Sequence, residues 1–443
     1  MPPIQPSPDL QALIDEITPE RVPAVLSHQR RPTVRGRYMH WDDLRRRDPP
    51  DGLSVREWWL SIKLARNALT HPLPLRDRNG RPFTFSMPDE VQEMVHQVDQ
   101  RASGEIAISE EVTNSATRDR YIVTSLIEEA ITSSQLEGAS TTHRVAKEML
   151  RTGRAPRTRD ERMILNNFRA MNVVREWDRT PLTPDLVLDL HRVVTEGTLD
   201  NPDAAGRLQR PDDDRVHVED PDGEIVFVPP PAIQLPERLA AMCQFANGEG
   251  IEGFMHPAVR SILVHFWLAH DHPFEDGNGR TARALFYWSM LAQDYWLTEF
   301  LSISRILRNA PMQYGRSFLH TELDEGDTTY FIIYQLRVIL RAIDDLHAHL
   351  RRKMEEVRDS ERILRRAGLN HRQRALISHA LRHPFADYSF RSHQRSHGVV
   401  YQSARTDLLE LEEQGLLERH LVGQAYHFRP VTDLPVRLER HGA

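Results

Sequence analysis

Residues 272–280 read HPFEDGNGR and stand between two apolar stretches, SILVHFWLAH and TARALFYWSMLAQDYW. One imidazole, two carboxylates, two glycines, an amide and a guanidinium between two core helices suit chemistry on a phosphorylated ligand. The nine residues form a loop feeding a helix N-terminus, where free N–H groups and the positive end of the dipole favour an anion. Gly277 and Gly279 let the backbone approach such a ligand closely. Arg280 and Arg283 fall in or beside the first turn, where a cation meets the positive dipole end and loses roughly 0.3 to 1 kcal/mol. Two such mismatches point to a negatively charged ligand, and phosphate suits the guanidinium fork.

Asp276 supplies a hard oxygen of the kind that holds magnesium, which takes one or two carboxylates together with phosphate oxygens and water. Glu275 competes for that role, and the sequence does not order the two. His272 is placed to act as general base on an attacking hydroxyl, a role worth about 10² to 10⁴-fold in rate. Phe274 reads as an apolar anchor for the loop. A plain turn is the competing reading of DGNG alone. Counted with Gly277 as its sixth residue, an EF-hand loop would need acids where His272, Phe274 and Arg283 stand, and no Walker A loop is present. His256, His265, His270 and His272 lack the HExxH or CxxC spacing of a zinc site.

The elements that position this loop are mostly helical from Ser115 to about His349. In RYIVTSLIEEAITSSQLEG, Ile122, Leu126, Ala130 and Ser133 recur at steps of four, four and three residues with Val123 and Ile127 beside them, and Gly138 is the stop signal. Glu137 then lies in the last turn, against the negative dipole end, and calls for a cation. RMILNNFRAMNVVREW and PDLVLDLHRVVTEGTL carry the same periodicity. RVHVEDPDGEIVFVPPP reads as a lone hairpin, with Val216 and Val218, a turn at Asp222-Gly223, then Ile225, Val226 and Val228. Such a pair is marginal alone, so it must lean on a neighbour or pair with an arriving chain.

Residues 1–110 form a mostly helical region without evident chemistry: PLRDRNGRPFTF reads as a loop with a tight turn at Asn79-Gly80, and Trp58 and Trp59 read as packing. Residues 111–345 hold the loop and its helices, and 346–368 read as a charged linker helix. Residues 369–430 order as three helices and a hairpin around Val422-Gly423-Gln424, a winged helix-turn-helix pattern, and 431–443 as a tail. From Glu361 to Pro430 there are 11 arginines against 7 acids, a local balance of +4. Arg391, Arg395, Gln402 and Arg405, beside Tyr401 and Ser403, are the candidate DNA contacts.

The 443 residues are 40% hydrophobic and 27% charged, the composition of a soluble globular chain of two or three domains. A net charge of -7 excludes a chain that is basic throughout. Cys243 stands alone, so no internal disulfide forms. The start MPPIQPSPDLQ lacks a leader, and no run reaches the roughly 18 apolar residues of a membrane span, so a cytoplasmic protein without membrane contact is expected.

HPFEDGNGRTAR resembles the signature of the Fic family, H-P-F-x-D/E-G-N-G-R-x-x-R, at every fixed position. The similarity in layout runs from about Ser115 to Leu340. The resemblance implies a mainly α fold, a Fic-type helical bundle with a β-hairpin flap, here followed by the winged helix-turn-helix domain. It implies transfer of AMP from magnesium-ATP to a hydroxyl side chain of a protein, the chain itself included. Carried over residue by residue, His272 is the base and Asp276 the magnesium ligand. Gly277, Asn278, Gly279 and Arg280 hold phosphate, and Arg283 meets the terminal phosphate. The flap at Val216, Val218, Ile225, Val226 and Val228 would hold a target segment by strand pairing. Ser133, Glu137 and Gly138 resemble the family's inhibitory motif S/T-x-x-x-E-G/N, by which Glu137 pairs with Arg283. Where the family often carries a tyrosine pair and an asparagine ahead of a Gly-Asp, APMQYGRSFLHTELDEGD offers Tyr314. Expected partners are ATP, a protein substrate, DNA through the C-terminal module, and a second copy in a homodimer. The competing functions are removal of AMP and a nucleotide-sensing, DNA-binding regulator with little turnover.

Overall fold

A computed structural model describes residues 4–28, 31–102, 115–219, 225–382, 386–422 and 425–441. The chain divides into two compact units, residues 1–346 and 347–443. It is mainly helical, as expected.

The first unit is built around two helices, Pro257–Asp271 and Asn278–Ala292, that pack on each other. Both are apolar nearly all round, which is the pattern of a helix with no solvent face. Ile262, Val264, Phe266, Leu285 and Phe286 are buried, each worth about 1.5 to 3 kcal/mol if fully withdrawn from water. The first of the pair starts cleanly: the His256 ring accepts from the Ala258 amide, and Pro257 sits where no N–H is needed. Around them pack Ser115–Leu136, Arg159–Glu176, Pro184–Thr195 and Leu235–Ala246. Thr158 and Thr183 cap two of these, accepting from the Glu161 and Leu186 amides at 3.1 and 3.2 Å.

The N-terminal segment differs from its sequence reading. Val55–Asn67 is a helix with Trp58 and Trp59 in its core, as expected, and Ser54 and Glu57 form a capping box at its start. The stretch read as a loop, however, is a second antiparallel hairpin, Thr70–Arg76 with Pro82–Ser86, so the flap is not the lone one. Pro72 and Pro74 lie within the first strand, where a proline lacks the N–H that a ladder needs. The alternation of Leu73 and Leu75 with Phe83 and Phe85, all buried, overrides them. Its turn is where Asn79-Gly80 placed it, with the Asp77 carboxylate accepting from the Asn79 and Arg81 amides at 2.8 Å each. Thr84 joins this hairpin to Gly326 and Thr328 through backbone bonds of 3.0 and 2.8 Å. Nearby, buried Asp324 accepts from Lys63 at 2.9 Å and Tyr330 at 2.7 Å, a polar network no sequence pattern announced.

The flap pairs Val218 with Phe227 and Glu219 with Ile225. Its expected turn at Asp222-Gly223 lies outside the described residues, as do the side chains of Val218 and Val226.

The helix Thr329–Arg366 is continuous through the stretch read as a separate linker. In the second unit the order is helix His371–Arg382, strand Tyr388–Ser389, helices Phe390–His397 and Tyr401–Glu413, then the hairpin Leu417–Val422 and Ala425–Pro430. Gly423 and Gln424 of its turn lie outside the described residues. The Ala425–Pro430 strand is central to the three-stranded sheet. Leu434–His441, within the segment read as a tail, is a helix whose Leu434 and Leu438 join this unit's core at i, i+4 spacing. Among the described residues no helix is long and apolar enough to cross a membrane.

Candidate active site

The loop at 272–277 joins the two central helices through two left-handed residues. His272 (φ 46°) ends the first helix, its amide donating to the Leu268 carbonyl at 3.0 Å. Gly277 (φ 84°) begins the second, and no side chain caps that helix. A Cβ on Gly277 would fall 2.8 Å from the Thr195 methyl, so glycine is required there by contact as well as by backbone. The open end leaves the amides of Asn278, Gly279 and Arg280 without partners inside the helix.

Three contacts fix the loop. The Asn278 side chain closes it, accepting from the Phe274 amide at 2.9 Å and donating to the Phe274 carbonyl at 2.8 Å. Phe274 is buried and stacks on the His191 ring at 3.7 Å, the apolar anchor expected of it. His191 accepts from the Gly206 amide through Nδ1 at 3.0 Å and donates through Nε2 to the Asp276 carbonyl at 2.8 Å. Burial pushes its pKa down to about 4, so it stays neutral and keeps both bonds. Arg215, at the base of the flap, spans the carboxyl end of the first helix: it donates to the His272 carbonyl at 2.8 Å, the Asp271 carbonyl at 2.7 Å and the Pro230 carbonyl at 3.0 Å. Sequence reasoning missed His191 and Arg215 because both act on backbone carbonyls, which no motif encodes. The Arg215 position, one residue before the flap's Val216, was the available signal.

His272 is half-buried. Its Nδ1 lies 3.3 Å from the Ala269 carbonyl and therefore carries the proton, which leaves the Nε2 lone pair able to accept one. Burial lowers its pKa below the ordinary value, against the pull of the Ala269 carbonyl, Glu137 and Asp276. A neutral imidazole with one free lone pair is competent to accept a proton.

Asp276 and Glu275, which the sequence left unordered, differ here. Both Asp276 oxygens lie 3.1 Å from Arg280 Nη2, while Glu275 is half-buried and has no bond or ion pair among the described residues. The Asp276 carboxylate retains 40% exposure, a hard, oriented oxygen ligand open on one side. That fits a magnesium site made of one carboxylate and phosphate oxygens. Arg280 itself is fully buried and also donates to the Val194 carbonyl at 3.3 Å, so its guanidinium holds Asp276.

Arg283 is the other buried guanidinium. Its Nε donates to Ser133 Oγ at 2.8 Å, and its Nη2 donates to the Ser133 carbonyl at 3.1 Å and Glu137 Oε1 at 2.8 Å. Burial works against its charge, but Glu137, Tyr314 and Glu129 together outweigh that and hold the guanidinium charged. The helix Ser115–Leu136 stops one residue before Glu137, which stands in the following turn, and Gly138 (φ 94°) reverses the chain. A Cβ on Gly279 would fall 2.2 Å from Glu137 Oε1. The carboxylate thus lies over the first turn of the Asn278–Ala292 helix, where an anion is favoured. Glu129, also missed in the sequence, pins the helix that leads into Glu137: it is buried and accepts from Ser302 Oγ at 2.9 Å and the Ser304 amide at 3.1 Å. Tyr314 reaches the same neighbourhood, with its hydroxyl 2.9 Å from His265.

Comparison with known proteins agrees with this layout. Residues 181–290 match the model of the Fic/DOC family. The chain is 35% identical over 111 residues to a protein adenylyltransferase of Caenorhabditis briggsae, a match covering 25% of this chain and 20% of that one. It is 34% identical over 104 residues to a protein adenylyltransferase of Nematostella vectensis, covering 24% and 22%. The chain therefore spans about a fifth of the length of the curated relatives it matches. A solved Fic family protein from Desulfovibrio desulfuricans G20 shares the fold, with a TM-score of 0.54 at 18% identity over 78% of this chain and 97% of that one. The matched segment holds the loop and the part of the helix that carries Arg283, so residues 181–290 of this chain carry a Fic/DOC family domain.

Proposed function

We propose that the chain transfers AMP from ATP to a hydroxyl side chain of a protein, and that Glu137 restrains this activity. The observation that carries the reading is an anion already seated in an anion site. The Glu137 carboxylate covers Gly279 and occupies Arg283, beside an imidazole whose free nitrogen is a base. A terminal phosphate has the charge and hydrogen-bond acceptors to take that carboxylate's place.

In the reaction, His272 Nε2 takes the proton of the target hydroxyl as its oxygen attacks the α-phosphorus. The new P–O bond forms as the bond from the α-phosphorus to the bridging oxygen breaks. AMP stays on the target, pyrophosphate leaves, and the proton remains on His272. Magnesium held by Asp276 would supply neutralisation of phosphate charge. The open first-turn amides bind phosphate, Asn278 and His191 keep the loop closed, and Arg215 holds the flap base against it.

The second unit reads best as a winged helix that places this activity near its target. Arg391, Arg395, Gln402 and Arg405 are exposed there and are the positions that would contact DNA. A nucleotide-sensing regulator without turnover needs no base, and a poised His272 favours the enzyme.

Intact-mass spectrometry after incubation with ATP and magnesium tests the reading. The Glu137→Gly chain is expected to gain the mass of AMP, and the unmodified sequence to gain far less. Equal adducts on both, or none on either, would overturn it. The rate should also report the base. With its pKa depressed, His272 stays neutral as pH falls through 6.5, and removing Glu137 takes away one of the groups that raise it. The acid limb of the labelling rate in Glu137→Gly is therefore expected below pH 6.5. A limb at or above that value would contradict the assignment.

A further inference from the structure

One feature of the first unit has no part in the transfer chemistry. A cavity of about 310 Å³ opens between the N-terminal hairpin, the flap and the end of the helix Pro311–Glu322. Phe83 and Phe227 form apolar walls, each packing on the ring of His270, at 4.8 and 4.9 Å, two residues before His272. Ile225 and Val228 of the flap face the same space and are 55% and 40% exposed.

The carboxylates around it are already spoken for, with one exception. Asp77 accepts from its own turn, and Glu325 is paired with Lys63 at 2.8 Å. Glu322 lines the cavity yet has no hydrogen bond or ion pair among the described residues. Burial pushes its carboxyl up to about 8. A half-buried carboxyl without a donor in its own chain is partly stripped of water and is satisfied by an arriving cation. Lysine and arginine suit the site twice over, because their stems cover apolar walls while the head meets the acid. Arg78 and Arg81 stand exposed at the rim and disfavour a run of basic residues.

We propose that this groove takes the target segment adjoining the modified hydroxyl and seats one lysine or arginine side chain of it against Glu322. The groove would then select a single basic residue among neutral or acidic neighbours. This rests on the AMP-transfer reading above. It gives the N-terminal hairpin, which holds no part of the phosphate site, a role in choosing substrates.

The test uses the full chain with Glu137→Gly, ATP and magnesium. Its probe is a synthetic peptide library with a fixed serine, threonine or tyrosine and randomised flanks. Lysine and arginine are expected to be enriched about tenfold at one flanking position, the discrimination of a charge-assisted bond of roughly 1.4 kcal/mol. Glu322→Gln should abolish that preference, and Glu322→Lys should turn it toward aspartate and glutamate. Both variants should keep the thermal midpoint and the self-labelling of the parent. Absence of a basic preference, whether all peptides label alike or none does, overturns the groove assignment, as does its persistence in Glu322→Gln. Loss of self-labelling by the Glu137→Gly parent would instead strike the function reading.

Discussion

In the Glu137→Gly chain, His272→Asn is expected to lower AMP transfer by roughly 10² to 10⁴-fold, the range for loss of a general base. Asparagine is the better test than alanine. Position 272 has φ 46°, a left-handed conformation that asparagine adopts more readily than other non-glycine residues, so the turn survives while the base is lost. The fixing contacts of the loop run through Asn278, His191 and Arg215, of which only Arg215 touches residue 272, and at its carbonyl. ATP binding should accordingly persist, and the thermal midpoint should still rise with ATP and magnesium. A rate within a few-fold of the parent would remove His272 from the chemistry. Loss of the ATP-induced rise would show instead that the substitution had damaged the phosphate cradle, and would leave the role of the base to His272→Ala.

What the sequence revealed and what it hid divide along a physical line. His272, Asp276, Gly277, Gly279, Arg283 and Glu137 could be named because each carries a charge, a lone pair or a backbone freedom that a plain packing role does not require. The structure brings all six to one helix terminus. Arg280 and Asn278 stand there too, but their side chains serve the protein: one holds Asp276, the other closes the loop. Composition cannot separate an arginine that binds a ligand from one that braces a ligand-binding residue. His191, Arg215 and Glu129 were hidden for the same reason, since their partners are main-chain atoms and hydroxyls far away in sequence. In the fold, the long periodic helices were legible from Ser115 onward. The hairpin at 70–86 was not, because two prolines weigh against a strand more visibly than four inward apolar residues weigh for it. The Leu434–His441 helix is too short for its period to stand out, and its stability comes from the core it covers.

The restraint proposed for Glu137 has two measurable faces, and they should move in opposite directions in Glu137→Gly. Without ligand, the substitution leaves Arg283, 1% exposed, with the hydroxyl and carbonyl of Ser133, the Tyr314 hydroxyl and the nearby Glu129 but without its adjoining carboxylate. Stripping the partner from a fully buried ion pair costs about 3 to 5 kcal/mol. The Glu137 side chain keeps 28% exposure, so a smaller loss of roughly 1 to 3 kcal/mol is expected, visible as a lower thermal midpoint. With ATP and magnesium the order should reverse in affinity. In the parent, phosphate must displace a carboxylate from Arg283 and from the space over Gly279, whereas in the variant both are open. Affinity should rise roughly 10 to 10²-fold, matching the free energy of the contact no longer displaced. Linkage makes the same factor govern both directions: whatever Glu137 takes from ATP binding, ATP takes from the Glu137–Arg283 pair. Calorimetric titration of both chains with ATP and magnesium, beside thermal melts, reads the two faces together. Equal affinities with unequal melts would mean that the ion pair stabilises the fold without guarding the phosphate site. Equal melts with a rise in affinity would mean that the carboxylate blocks the site sterically and that its charge pairing with Arg283 contributes little.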